Sequence, residues 1–206
     1  MAYITKDKIE VEAVKIPIDF LKEGKLNLKE KGLYIHICSL PENWNYSMLG
    51  MSRICADGVD AIRSAQQKLV DEGFIKISPQ EIINGYKQYK HVDILPKTYE
   101  MEKNYVLIPL YLCKGLPSED IEKMKKDKSS LTLSELALWA ILYSLAPGWK
   151  YTDTDVAKVF GGNSGQIRNA RAGLIRKGYI TVTKHSHLPN GQYVADDYHL
   201  NVASSV

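Results

Sequence analysis

The chain repeats itself. Residues 26–78 align with residues 131–183 without a gap when the sequence is shifted by 105 positions. The shift brings apolar helix positions into register, and also the residues around the turns. Two amphipathic helices that matched by chance would not align these residues as well. The aligned pairs are Leu28/Leu133, Trp44/Trp149, Tyr46/Tyr151 and Gly73/Gly178. We therefore predict a duplicated structural unit.

Apolar spacing, caps and turn residues predict the same series of elements in each copy. The series is a strand, three helices, and two strands joined by a hairpin, which is the order of a winged helix-turn-helix. In the first copy these segments are 9–20, 28–40, 47–55, 59–72, 74–78 and 86–94, with the hairpin at 84–85. The predicted fold class is α+β, with two winged helix-turn-helix units in tandem (1–98 and 99–206) forming an internal pseudo-dimer.

The strand before each unit repeats as well, as Ile-Pro-Ile at 16–18 and Ile-Pro-Leu at 108–110. We expect these two strands and the two wings to pair in a shared central antiparallel sheet, with the recognition helices at opposite ends. Between its strand and its first helix the second copy carries an extra charged stretch, 114–130, predicted to be a mobile loop or a frayed helix.

The third helix of the second copy, within 163–178, is the most informative segment for function. Asn163 suits its N-cap and Gly178 its C-terminal end. No acidic residue occurs from 156 to 195, and the helix carries several arginines. The whole chain has a formal charge of only +3, so the distribution of charge is the evidence. A cationic helix face of this kind favours a polyanion such as double-stranded DNA.

In a helix-turn-helix, the N-terminal half of the recognition helix reaches the base edges. Arginine pairs with guanine, and asparagine or glutamine with adenine. The predicted base-proximal residues are Ser164, Gln166, Arg168, Asn169 and Arg171. The predicted phosphate and wing contacts are Lys158, Arg176, Lys177, Lys184, His185 and His187.

The equivalent surface of the first copy has mixed charge. Its candidate contacts are Arg63, Ser64, Gln67, Lys68, Lys87 and Lys90, with acidic residues at 57, 60 and 71 nearby. Three interpretations stay open. This copy binds DNA more weakly, or it reads bases while its wing holds phosphate, or it is a protein-binding surface.

Other functional classes lack support in the sequence. The 161–165 segment has no Lys-Ser/Thr ending of a phosphate loop, and His185-x-His187 has no further ligand at metal-binding spacing. No nucleophile, base and acid set is visible, so we expect neither an enzyme nor a cofactor. The N-terminus does not resemble a signal peptide and no segment is long enough to span a membrane. Three cysteines without C-x-x-C spacing favour buried thiols and the cytoplasm.

The Ser-Leu-Pro-x-x-Trp-x-Tyr stretch at 39–46 resembles the winged helices of plasmid and phage replication proteins. The doubled unit is similar to the TraN family of conjugative type IV secretion systems from Gram-positive plasmids. This resemblance implies double-stranded DNA binding as an accessory or regulatory factor in conjugative transfer. It also implies contacts with other transfer or replication proteins and a monomer with internal pseudo-two-fold symmetry. The alternatives are a replication initiator or replisome organiser, and a protein-interaction scaffold that does not bind DNA.

Overall fold

The computed structural model describes residues 2–6, 8–9, 12–41, 44, 46–78, 82–83, 86–87, 92–95, 104–113, 130–185 and 196–202. The protein is α+β, as predicted. The first half contains β1 (Ala2–Lys6), β2 (Ala13–Pro17), α1 (Ile18–Leu21), α2 (Leu28–Ser39), α3 (Met48–Ile54), α4 (Val59–Asp71), β3 (Ile75–Ile77), β4 (Ile82–Ile83), β5 (Tyr86–Lys87) and β6 (Val92–Ile94). The second half contains β7 (Tyr105–Pro109), α5 (Leu110–Cys113), α6 (Leu133–Ser144), β8 (Lys150–Tyr151), α7 (Asp153–Phe160), α8 (Ser164–Arg176), β9 (Ile180–Thr183) and β10 (Asp196–Leu200).

The elements recur at the spacing of the sequence repeat. Helices α6, α7 and α8 begin 105 residues after α2, α3 and α4, and β9 begins 105 residues after β3. The three helices predicted for the first copy are confirmed to within one residue at each end. The strand predicted at 9–20 is wrong at both ends, because β2 begins at Ala13 and stops at Pro17, where α1 follows. Proline has no N–H to continue a strand ladder, and its fixed φ suits the start of a helix.

Helices α2 and α6 form the centre of the core. Both are buried on nearly all sides, and they pack directly against each other. The contact is close at Gly32, where a Cβ atom would lie 1.9 Å from the carbonyl oxygen of Leu133. Helix α4 packs on α2 and α8 packs on α6, so the two central helices support the two outer ones.

The turn before α4 contacts the start of α6 in the other half. The Ala56 N–H donates to the Leu131 carbonyl at 3.1 Å. The Asp57 carboxylate accepts the Leu133 N–H at 2.6 Å, which satisfies one of the unpaired amides at a helix N-terminus. Asp57 therefore has a structural role between the halves.

The turn before α8 makes the reciprocal contact with the first half. Gly161 has φ of +75°, and a Cβ atom there would lie 2.9 Å from the Leu26 carbonyl oxygen. The buried Lys31 ammonium donates to the carbonyl of Leu26 at 2.9 Å and to that of Phe160, the last residue of α7. The glycines at 161 and 162 thus serve a tight turn, and each turn fixes one half against the other.

The strands form separate sheets. The expectation that the two wings pair in one shared central sheet is therefore wrong. The two Ile-Pro strands do pair: β2 and β7 are antiparallel, with Ile16 opposite Val106. The wing strands pair elsewhere, β3 with β6 and β9 with β10. Strands β4 and β5 pair with each other, as a hairpin at 84–85 requires. Residues 84–85 and 114–129 themselves lie outside the described part of the chain.

The N-terminal strand β1 crosses to the second half. It lies between β8 and β10 in the sheet β8-β1-β10-β9, antiparallel to β8 and parallel to β10. The Lys6 ammonium donates to the carbonyls of Tyr143 and Leu145 at the end of α6, at 2.6 and 3.0 Å. A division of the chain at 98/99 therefore separates β1 from β8 and β10, the strands with which it is hydrogen-bonded.

No helix in the described ranges is both long enough and apolar enough to cross a membrane.

Candidate nucleic-acid interface

Helix α8 is positioned by its cap and by a narrow buried face. The Asn163 side chain accepts the Gln166 N–H at 2.9 Å, which fixes the first turn. The buried residues of α8 are Ile167, Ala170, Gly173 and Leu174, and the helix packs on α6 and α7. The opposite side of the helix is left to solvent.

The exposed side of α8 carries two arginines and an amide, and we call it the α8 face: Gly165, Arg168, Asn169, Ala172 and Arg176. Their spacing by three and four places them on one side of the helix. The Arg168 side chain is 70% exposed. Two small residues lie between the longer side chains, so a bound molecule can approach the helix backbone closely.

Arg171 is not part of this face. Its guanidinium forms an ion pair with Asp153 at the start of α7 and lies 5.5 Å from the centre of the Tyr198 ring. Only 20% of the Arg171 side chain is exposed. Arg168 reaches the same carboxylate only at 3.8 Å. The prediction of Arg171 as a base contact therefore disagrees with the structure, because its charge is used to fix α7 against α8 and β10.

Lys177 is also used internally. Its ammonium lies 2.5 Å from the Glu135 carboxylate and 2.7 Å from the Ser130 carbonyl. The side chains of Lys177 and Glu135 are only 12% and 6% exposed. Glu135 also accepts the Thr132 N–H at the start of α6. The predicted phosphate contact by Lys177 therefore disagrees with the structure, which gives the residue a packing role.

The remaining predicted contacts of the second half differ in exposure. Lys158 near the end of α7 and Lys184 after β9 are exposed, whereas Ser164 and Gln166 are half-buried. The His185 ring lies 2.8 Å from the Asp197 carboxylate, on the wing strand β10. His187 lies outside the described residues.

In the first half, the cations and the amide on the exposed side of α4 bond to carboxylates of the same segment. The hydrogen bond from Lys68 lowers the pKa of the Glu72 carboxyl. Ser64 is exposed. The bonded pairs are Arg63 with Asp60 at 2.8 Å, Gln67 with Asp71 at 2.8 Å, and Lys68 with Glu72 at 2.6 Å. The side chain of Lys87 and all of Lys90 lie outside the described residues.

The sequence did not reveal the residues that hold the α8 face in place. Two acidic residues at the start of α7, Asp153 and Asp155, are typical of capping acids. Asp155 forms the capping box with Thr152, and the hydrogen bonds from Thr152 lower the pKa of the Asp155 carboxyl. Asp153 instead pairs with Arg171. Neither the Asp153–Arg171 pair nor the Glu135–Lys177 pair has a local sequence signature, since the partners lie on different helices.

The aromatic pairs of the repeat recur at fixed places after each first helix, which predicts that they pack beneath the helix turns. Tyr46 and Tyr151 are buried as predicted, at 4% and 2% exposure. Trp149 differs, because 40% of it is exposed. Burial raises the pKa of the Tyr151 hydroxyl above its usual range, so this residue belongs to the core.

Within the described ranges, no group of three or more His, Cys, Asp or Glu residues is arranged to hold a metal ion. The three cysteines are free thiols, and Cys55 and Cys113 are buried. No protein-family model, curated protein or solved structure matches the chain. Its function therefore has to be inferred from the chemistry of the α8 face.

Proposed function

We propose that this protein binds double-stranded DNA through helix α8, the recognition helix of the second of two tandem winged-helix units. The observation that carries the proposal is the α8 face. It presents the exposed guanidiniums of Arg168 and Arg176 beside Asn169 on a helix without a single carboxylate. Arginine and asparagine are the side chains that read guanine and adenine in the major groove.

The dimensions of α8 suit this role. A helix of 13 residues is about 20 Å long at 1.5 Å per residue. An α-helix fits into the major groove of B-DNA, which is about 12 Å wide. The small residues Gly165 and Ala172 on the exposed side reduce the bulk between the helix backbone and the bases.

The elements around α8 follow the order expected of a winged helix. Helices α6, α7 and α8 are followed by the antiparallel pair β9–β10. In such a unit the first helices support the recognition helix and the strands form the wing. Lys158 and Lys184, on either side of α8 in the chain, supply further exposed cations for phosphate.

Binding through the α8 face does not require Arg171 or Lys177. With four exposed cations left (Lys158, Arg168, Arg176 and Lys184), the slope of log affinity against log salt is roughly −3.6 if each neutralises one phosphate. A slope of this size means that the affinity falls roughly a hundredfold between 50 and 200 mM salt.

The resemblance to TraN supports a role as an accessory or regulatory factor in plasmid conjugative transfer. Origin binding in plasmid or phage replication is the alternative within the same chemistry. Sequencing the DNA fragments that copurify with the protein distinguishes them, because transfer-region and origin fragments would be enriched respectively.

The test is fluorescence anisotropy with a labelled duplex of random sequence over a salt series. We expect the double variant Arg168→Ala/Arg176→Ala to bind roughly tenfold or more weakly than the unaltered protein. The control Lys22→Ala/Lys25→Ala removes the same charge from exposed lysines of the first half and should bind nearly normally. An equal loss of affinity in both variants would mean that DNA binding depends only on net charge. If the unaltered protein binds no duplex at low salt, the protein-interaction scaffold is favoured.

A further inference from the structure

We infer that each chain binds a single DNA duplex, through its second half. Helix α4 is the equivalent of α8 in the first half, and its own carboxylates prevent it from binding DNA. This inference rests on the proposed function, since it concerns which of two repeated helices performs it. Sequence alone left the role of the first half open.

The repeat allows a comparison of α4 with α8 position by position. Arg63 of α4 is equivalent to Arg168, so one arginine is common to both helices. The neighbouring positions differ in charge. Asp60 stands where α8 has Gly165, and Asp71 stands where α8 has Arg176. The exposed side of α4 therefore presents two carboxylates at positions where α8 presents a glycine and a second guanidinium.

Asp60 and Asp71 are both exposed to solvent. The Asp60 side chain is 97% exposed, and it holds the Arg63 guanidinium at 2.8 Å. An ion pair between exposed groups is weak, so it could open when DNA approaches. Opening it would not help binding, because the released Asp60 carboxylate would face the phosphates.

The amide and the ammonium on the same side of α4 are also bonded to carboxylates. The Gln67 amide donates to the Asp71 carboxylate at 2.8 Å, so reading an adenine would require this bond to break. The Lys68 ammonium is held by Glu72 at 2.6 Å. Glu72 is shared with Lys25, whose ammonium lies 3.4 Å away. The exposed side of the helix itself therefore has the carboxylates of Asp60 and Asp71 against the single guanidinium of Arg63, and carboxylates at these positions repel a polyanion. Helix α8 contains no carboxylate, and Arg168 lies 3.8 Å from Asp153 of α7.

The experiment compares the two equivalent arginines in the full chain. Arg168→Ala should weaken binding to the random duplex by roughly fivefold or more. Arg63→Ala should leave the affinity unchanged within about twofold, because Arg63 contacts no phosphate in this arrangement. Native mass spectrometry with excess short duplex should show one duplex per chain.

A third variant tests the role assigned to the carboxylates. Asp60→Asn/Asp71→Asn removes both negative charges from the exposed side of α4 and should tighten low-salt binding by roughly twofold or more. Unchanged affinity in this variant would overturn the claim that these carboxylates exclude DNA.

The inference and the proposed function fail in different ways. If Arg63→Ala weakens binding as much as Arg168→Ala, or if two duplexes bind per chain, the single-site inference is overturned while DNA binding stands. If the unaltered protein binds no duplex, or if Arg168→Ala binds normally, the proposed function fails and the inference falls with it.

Discussion

Replacing Lys177 by methionine should destabilise the protein without acting on DNA directly. The substitution keeps most of the aliphatic side chain and removes the ammonium that lies 2.5 Å from the Glu135 carboxylate. At an effective dielectric constant of 20, two unit charges at this distance attract by about 7 kcal/mol before desolvation is counted. Desolvation of the two charges offsets part of this attraction. When only one partner of a buried pair is removed, the desolvation cost of the remaining charge is not recovered.

We therefore expect the free energy of unfolding to fall by about 3 kcal/mol, the lower part of the range for broken buried pairs, since 12% of the Lys177 side chain is exposed. Urea denaturation followed by circular dichroism measures the change. The matched control is Arg176→Met at the adjacent exposed position, which should alter stability by no more than about 0.5 kcal/mol and weaken DNA binding.

A double-mutant cycle with Glu135→Gln isolates the interaction between the two charges. Glutamine keeps an acceptor for the Thr132 N–H but carries no charge, so it should restore part of the stability lost in Lys177→Met. The reasoning is refuted if Lys177→Met is as stable as the unaltered protein and loses as much DNA affinity as Arg176→Met.

Three further predictions concern the core. Gly32→Ala should lower the free energy of unfolding by about 3 kcal/mol or more in urea denaturation, because its Cβ would lie 1.9 Å from a backbone oxygen of α6. Gly24→Ala is the control, since no atom lies within 4 Å of the added Cβ. Equal stability of the two variants would contradict the close helix contact. Burial lowers the pKa of Lys31 from 10.5 to about 8. The unfolded chain therefore binds the Lys31 proton more tightly than the folded protein, and the free energy of unfolding should rise between pH 8 and 10.5 by up to about 3 kcal/mol. Urea denaturation of Lys31→Met at several pH values should lack this part of the rise. A pH profile identical to that of the unaltered protein would exclude a contribution from Lys31. Deleting residues 1–7 removes the strand between β8 and β10, so the thermal midpoint should fall and a synthetic peptide of the same residues should raise it again; an unchanged midpoint would contradict the strand order.

The helices could be predicted from the sequence because their determinants are local. Apolar residues at helical spacing, Ser47 and Asn163 at N-caps, and Gly73 and Gly178 after the last turns all act within a few residues of the elements that they define. The caps at Ser47 and Asn163 are present as hydrogen bonds in the structure. The gapless repeat then transferred each assignment from one half to the other.

The sheets could not be predicted in the same way. A strand such as β1 carries no local information about which distant strand it bonds, and its partner β10 lies at the opposite end of the described chain. The charged residues of α8 posed a similar difficulty. Arg168 and Arg171 look alike in the sequence, and both lie near Asp153 at the start of α7. Only the folded structure shows that Arg171 is closely paired and 20% exposed, whereas Arg168 is 70% exposed and 3.8 Å from the carboxylate.

A duplicated α+β unit, the helices within it, and a segment around α8 that is rich in cations and free of acids can all be predicted from the sequence. Those properties follow from residue type and spacing along the chain. Which cations remain available depends on the tertiary structure. Lys177 and Arg171 are largely buried in close ion pairs with Glu135 and Asp153, whereas Arg176 is exposed and Arg168 stays 70% exposed at 3.8 Å from Asp153. Pairing of charges depends on distance in space, and the chain order does not specify that distance.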